Sequence, residues 1–245
     1  MRYPPPAFCR SFPRGRVAAP LLLVLTAASA ISGCNLLAAG AVILERDKKV
    51  DVEAAYDGLA GRRVAVLVAA DDATYFRYPR AAARVQEGVT VALAAALNPA
   101  GGADADDDAD PPPAGVELLT PAAAERYVQR NPYWTTRRPA SVMQDLGVDR
   151  LVTVDLNRYA THETGNRDVV RGVIDATVSV VEADGIDPDN RAFSRNVSVR
   201  FPDDDSNFGV IGGEAETVEA GALRVFADAA ARLFHDHTLV IPARR

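Results

Sequence analysis

Cysteine is nearly missing from this chain of 245 residues: Cys9 and Cys34 are the only two, and none follows position 34. A body built from the remainder forms no disulfide, offers no thiolate nucleophile and binds no metal through sulfur, so its own core must hold it. Histidine is almost as scarce, with His162, His235 and His237, and Trp134 is the single tryptophan. The G-x-S-x-G, H-E-x-x-H and phosphate-loop patterns do not occur, which removes the commonest signatures of serine hydrolases, zinc proteases and P-loop enzymes. No internal repeat is evident. Basic charge is also short, with 27 Lys and Arg against 33 Asp and Glu for a net charge of -6. That sign argues against binding nucleic acid through bulk electrostatics.

What is present first is a leader. Arg2, Arg10, Arg14 and Arg16 precede an apolar run, Val17 to Ile31, that is too short and too rich in Ala and Ser for a membrane span. The run closes on Ile31-Ser32-Gly33-Cys34. This resembles the bacterial lipoprotein signal, in which small residues precede a cysteine that is acylated and becomes the mature N-terminus. The resemblance implies a signal peptide over 1–33, lipidation at Cys34 and a membrane partner reached through the lipid. Several acyl chains hold where one does not, because each buried CH₂ contributes only about 0.8 kcal/mol. Asn35 lacks the Asp that marks inner-membrane retention in such proteins, so the expected location is the outer membrane, facing the periplasm. Residues 34–61 then read as tether and connector, with a charged stretch from Glu45 to Gly61.

The body, expected over 62–241 with a tail at 242–245, is an α/β (α+β) domain. Its sheet is mixed, of about five strands, with helices packed mainly on one face. Leu146 to Phe201 organises it as a three-stranded antiparallel meander. Val152, Val154 and Leu156 alternate with Thr153, Asp155 and Asn157, the period of two of a half-buried strand. Val170, Ile174, Ala176, Val178 and Val180 share one face of the second strand, with Gly172 in the same row; Phe193, Val197, Val199 and Phe201 share one face of the third. Before the meander, Arg63 to Ala69 reads as a central strand and Asp71 to Pro79 as a polar loop. Ala82, Val85, Val89 and Leu93 recur at helical spacing. Val116 to Leu119 is a short strand, and Thr120-Pro121 opens a helix. A further helix ends at Gly147. After the meander come a Gly- and Asp-rich loop from Pro202 to Gly213, a last helix from Glu214 to about Phe234, and an extended tail able to join a sheet edge.

Residues 99–115 (PAGGADADDDADPPPAG) hold no apolar bulk and read as a disordered acidic insertion. Asp104, Asp106 and Asp108 fit the first positions of a calcium loop, but Ala109 and Gly115 stand where the turn glycine and the bidentate glutamate belong, so the site fails. His235 and His237 form an H-x-H pair without a third ligand nearby in sequence, and His162 is a lone loop residue. No metal and no cofactor are expected. Asp155 and Asp175, on polar faces of adjacent strands, are placed to approach each other as a carboxylate pair, with Arg158 and Arg171 near enough to neutralise them. Tyr75, Phe76 and Tyr78 crowd one loop, and Tyr133 and Trp134 another. Large aromatics in loops either cap a core or form a binding hot spot.

The order strand, helix, strand, helix, short helix, three strands, helix, with Leu146-Gly147-Val148-Asp149-Arg150 entering a strand, resembles a group of envelope lipoprotein domains. That group includes the peptidoglycan-synthase-activating lipoproteins, the curli secretion-channel protein and the N-terminal domain of the Tol-system periplasmic protein. The acidic insertion and the Asp184 to Asn190 turn depart from the group's pattern. The likeness implies a non-catalytic, membrane-anchored protein that binds another envelope protein or assembles with itself. The competing expectation is a periplasmic hydrolase or small-ligand-binding protein using Asp155, Asp175 or the terminal histidines.

Overall fold

The computed structural model describes residues 48–98, 115–163, 166–203, 210–211 and 215–241. The expected signal peptide, Cys34, most of the acidic insertion and the last four residues lie outside them. In chain order the elements are β1 (Lys48–Val52), β2 (Arg63–Ala70), α1 (Asp72–Arg77), α2 (Ala81–Leu97), β3 (Glu117–Leu118) and α3 (Pro121–Arg130). A 3-10 turn at Trp134–Thr136 leads to α4 (Pro139–Leu146), then β4 (Arg150–Glu163), β5 (Asn166–Glu182), β6 (Arg191–Phe201) and β7 (Val210–Ile211). The chain closes with α5 (Ala215–Ala231), a 3-10 turn at Arg232–Phe234 and β8 (His237–Ile241).

The described residues fall into two compact units, those within 51–237 and those at 48–50 with 238–241. The larger carries a mixed sheet in the order β3-β2-β4-β5-β6, with β7 added on β5. β2 runs parallel to β3 and β4, whereas β4, β5 and β6 are antiparallel. The fold class is therefore the expected mixed α/β one. A separate two-stranded sheet pairs β1 with β8.

Alternation along the strands sorts their side chains between two hydrophobic clusters. Val64, Val66, Val152, Val154, Ile174, Val178 and Val180 face one way and are buried under Val85, Val89 and Leu93 of α2 and Phe226 of α5. Ala65, Leu67, Leu151 and Val181 face the other way, beneath Ala124 and Tyr127 of α3, Trp134, and Val142 and Met143 of α4. The face expected to be polar is thus helix-covered near β2 and the start of β4, because the near-continuous apolar run of β2 needs cover on both sides. Farther along the meander that face is polar, with Asn157 Nδ2 donating to Thr177 Oγ1 (3.0 Å) and Thr177 Oγ1 to Asn196 Oδ1 (3.0 Å).

Three segments differ from expectation. The polar loop after β2 contains α1, because Asp71 accepts from Thr74 N at 2.7 Å and caps a single short helix. The charged connector contains β1, and its later part is packed on the body: Tyr56 N donates to Leu233 O (3.0 Å) and Leu59 is 1% exposed. The loop after β6 contributes β7, which pairs Val210 and Ile211 with Val170 and Val169. The C-terminal stretch is extended as expected, and it pairs with β1.

α5 packs closely on the sheet at two glycines. A Cβ at Gly172 would sit 2.5 Å from Ala222 Cβ, and one at Gly221 would overlap the Phe201 ring. Gly221 lies inside a helix, where propensity alone makes alanine better by about 1 kcal/mol. The buried overlap wins, so Gly221→Ala is expected to destabilise by about 1 to 3 kcal/mol. Urea unfolding of the variant checks the sign: a gain in stability would show that the helix stands farther from Phe201.

Candidate docking surface

α1 begins two residues beyond the C-terminal end of β2. Its rigidity comes from the residues around it. Asp71 caps its start, and two hydrogen bonds from Thr74 hold the Asp71 carboxyl below its ordinary range. Thr74 is buried, and Tyr78 N closes the helix onto Thr74 O at 2.8 Å. The Tyr78 ring stands edge-on to Tyr159 with centroids 5.0 Å apart. Tyr159 Oη donates to Glu219 Oε1 (2.5 Å), and Arg84 pairs with the same carboxylate (2.7 Å). Burial, then the Glu219 bond, pushes the Tyr159 phenol well above its usual range, so it stays a donor.

With Tyr78 fixed inward, its neighbours point out. Phe76 is 90% exposed and Tyr75 65%, with Arg77 and Arg80 exposed beside them. Tyr133 is 77% exposed, whereas Trp134 is 7% exposed and belongs to the second cluster. The five aromatic candidates therefore separate: Tyr75, Phe76 and Tyr133 are at the surface, and Tyr78 and Trp134 are packed.

α1 and the residues just before β2 lie at opposite ends of that strand. Residues 54–58 are tied to the starting end of β2: Ala54 N donates to Asp236 Oδ1 (2.7 Å), and Arg150 Nε donates to Gly58 O (3.1 Å). α1 follows the other end, about 25 Å along an eight-residue strand.

The carboxylates of the competing expectation have partners of their own. The register sets Asp155 opposite Thr177 and Asp175 opposite Arg158, with an irregularity between Leu156 and Arg158. Asp155 pairs with Arg191 at 3.1 Å, and Asp175 accepts from Ser198 Oγ. A cleft of about 270 Å³ between Trp134, α4 and β4 has Asp155, Asp189 and Arg191 in its lining. There Asp189 pairs with Arg138 and accepts from Ala140 N at 3.2 Å, capping α4 from the β5–β6 loop. His162 Nδ1 lies 2.9 Å from Thr161 Oγ1. The His235 and His237 rings are 5.6 Å apart, but each Nδ1 faces a backbone carbonyl. Among the described residues no three His, Cys, Asp or Glu side chains group around a common point for a metal.

Sequence reading missed Asp71 as a cap, although Asp71-x-x-Thr74 is a recognisable spacing for one. It also missed Asp189, whose target lies 49 residues away in the chain. No pattern in the sequence signals that contact.

No family model matches this sequence, and neither does any curated protein. Some solved structures match it at low identity. The PelC dodecamer of Paraburkholderia phytofirmans is 8% identical over 77% of this chain and 98% of that one, with a TM-score of 0.41. Lipoprotein GNA1162 of Neisseria meningitidis is 17% identical over 66% of this chain and 96% of that one, with a TM-score of 0.37. At these identities and scores the likenesses bear on neither activity nor partner.

Proposed function

We propose that the chain is a non-catalytic, membrane-tethered protein of the cell envelope that docks another envelope component through the α1 surface. One observation carries the docking: Phe76 and Tyr75 are held in solvent by a capped helix whose closing residue, Tyr78, is half-buried and packed edge-on against Tyr159. Exposed aromatics on a rigid support offer large contact area at low ordering cost, the character of interface hot spots. Tyr133 is a further contact residue; Tyr78 and Trp134 serve as supports. The tether is the lipid expected on Cys34, with the outer membrane as its site and the body in the periplasm. The Leu146 to Arg150 likeness to the synthase-activating and curli-secretion lipoproteins supports the same role, and self-assembly through this surface is its variant form.

The test is quantitative capture of the lipidated protein with its bound partners from solubilised membranes. Replacing both Tyr75 and Phe76 by serine is expected to lower partner recovery at least tenfold, with stability within about 0.5 kcal/mol of the parent. Recovery unchanged by the double replacement would remove α1 as the docking surface.

A further inference from the structure

We propose that the free edge of β6 is a second, independent interaction surface, which adds an extended acidic segment of a partner protein to the sheet. β6 is 11 residues long and ends the strand order; among the described residues it pairs with β5 alone. Alternate residues along such an edge direct N–H and C=O groups outward, the arrangement an incoming strand completes. No proline interrupts Arg191 to Phe201.

The edge is also rigid. Thr177 Oγ1 donates to Asn196 Oδ1 (3.0 Å) and Ser179 Oγ to Ser194 Oγ (3.2 Å), while Val197 and Val199 are buried under the helices. A partner strand therefore meets a preformed template.

Charge selects the occupant. Arg191, Arg195 and Arg200 are the only charged residues of β6, in a chain whose net charge is -6. Arg191 is held by Asp155. Arg195 and Arg200 are exposed, and among the described residues no carboxylate is paired with either. Arg195 lies opposite Val178 and Arg200 opposite Val173, so the two stand five positions apart and project from opposite faces of the sheet. An incoming strand with carboxylates five residues apart meets both. A second copy is the poorer occupant, because β6 paired with β6 would bring six arginines onto two adjacent strands with no acid between them.

The probe is a fluorescent dodecapeptide of alternating threonine and valine carrying two glutamates five positions apart. A control carries two lysines at the same positions. Both are titrated against the full-length lipidated protein in detergent micelles, with backbone hydrogen exchange followed over residues 191–201. The glutamate peptide is expected to bind at least tenfold more tightly than the lysine peptide and to slow exchange in that stretch. The Arg195→Glu, Arg200→Glu double variant should invert the preference while leaving thermal unfolding unchanged. The Tyr75→Ser, Phe76→Ser variant should bind the peptide as the parent does, which separates this surface from the α1 surface. Absence of binding, equal affinity for the two peptides, or protection outside 191–201 would overturn the proposal. Protection of 191–201 by protein concentration alone would overturn it in favour of a second copy.

Discussion

Replacing Trp134 by alanine is expected to destabilise the protein by about 3 to 5 kcal/mol, the cost of deleting a large ring from a packed cluster. Trp134 fills the space between α3, α4 and the second face of the sheet, against Leu67, Val142, Met143 and Leu151. Its removal leaves a void that the capped start of α4 prevents from closing, since Asp189 of the β5–β6 loop holds Ala140. Tyr133, one residue earlier, projects into solvent, so Tyr133→Ala is expected within about 0.5 kcal/mol of the parent. Urea unfolding at equal slope, with a lowered midpoint for the tryptophan variant alone, checks both values. A near-neutral Trp134→Ala would show that the second cluster does not hold the fold. Loss of partner capture in that variant would report unfolding, so Tyr75 and Phe76 are the positions that test docking.

Arg150→Met is expected to cost about 3 kcal/mol and to free the connector. Arg150 is 5% exposed at the start of β4. It donates to Gly58 O at 3.1 Å, to Asp149 O at 3.0 Å and to Asp184 Oδ1 at 2.5 Å. Glu182 lies 3.7 Å away and accepts from Tyr56 Oη at 2.5 Å. Methionine fills much of the volume but leaves these acceptors without a donor. Tyr56 stacks with Phe193 and Phe234 at 5.6 and 6.1 Å, so the latch also positions an aromatic cluster. Limited proteolysis is expected to cut between Asp51 and Arg62 in the variant and not in the parent.

The latch has a pH signature whose sign follows from Asp184. Its bond with Arg150 lowers the carboxyl below the ordinary aspartate value of 3.8. A lowered folded value means that the contribution is complete above the unfolded value and is lost as pH falls through the folded one. The parent should therefore lose this stabilisation only below about pH 3.8, and Arg150→Met should show a shallower acid loss. An identical acid limb in the two proteins would exclude Asp184 as the partner.

The meander could be read from the sequence because one residue in two must face the core: Val152, Val154 and Leu156 alternate with Thr153, Asp155 and Asn157, and Ile174, Ala176, Val178 and Val180 with Asp175, Thr177 and Ser179. α2 and α5 were legible for the same reason at helical spacing. Gly147 was legible because its φ of 64° is one that few residues other than glycine adopt. α1 was not, since six residues give no periodicity and the helix rests on the Asp71 cap. The connector hid Tyr56 and Leu59 among charges, and two core residues do not make a pattern. Tyr133 and Trp134 are neighbours of one composition, and only the packing of α3 and α4 decides which enters the core. The burial of Arg150 depends on partners 34 and 92 residues away. Asp155 and Asp175 were a possible pair on paper; cross-strand partners hold them instead, Arg191 and Ser198.

Docking by a tethered body presupposes the tether, and the intact mass of the membrane-extracted protein tests that most directly. The account predicts a chain that begins at Cys34 and carries the added mass of a diacylglycerol, with or without a further acyl group. A protein that retains residues 1–33, or one that begins at or beyond Cys34 without lipid, would contradict it.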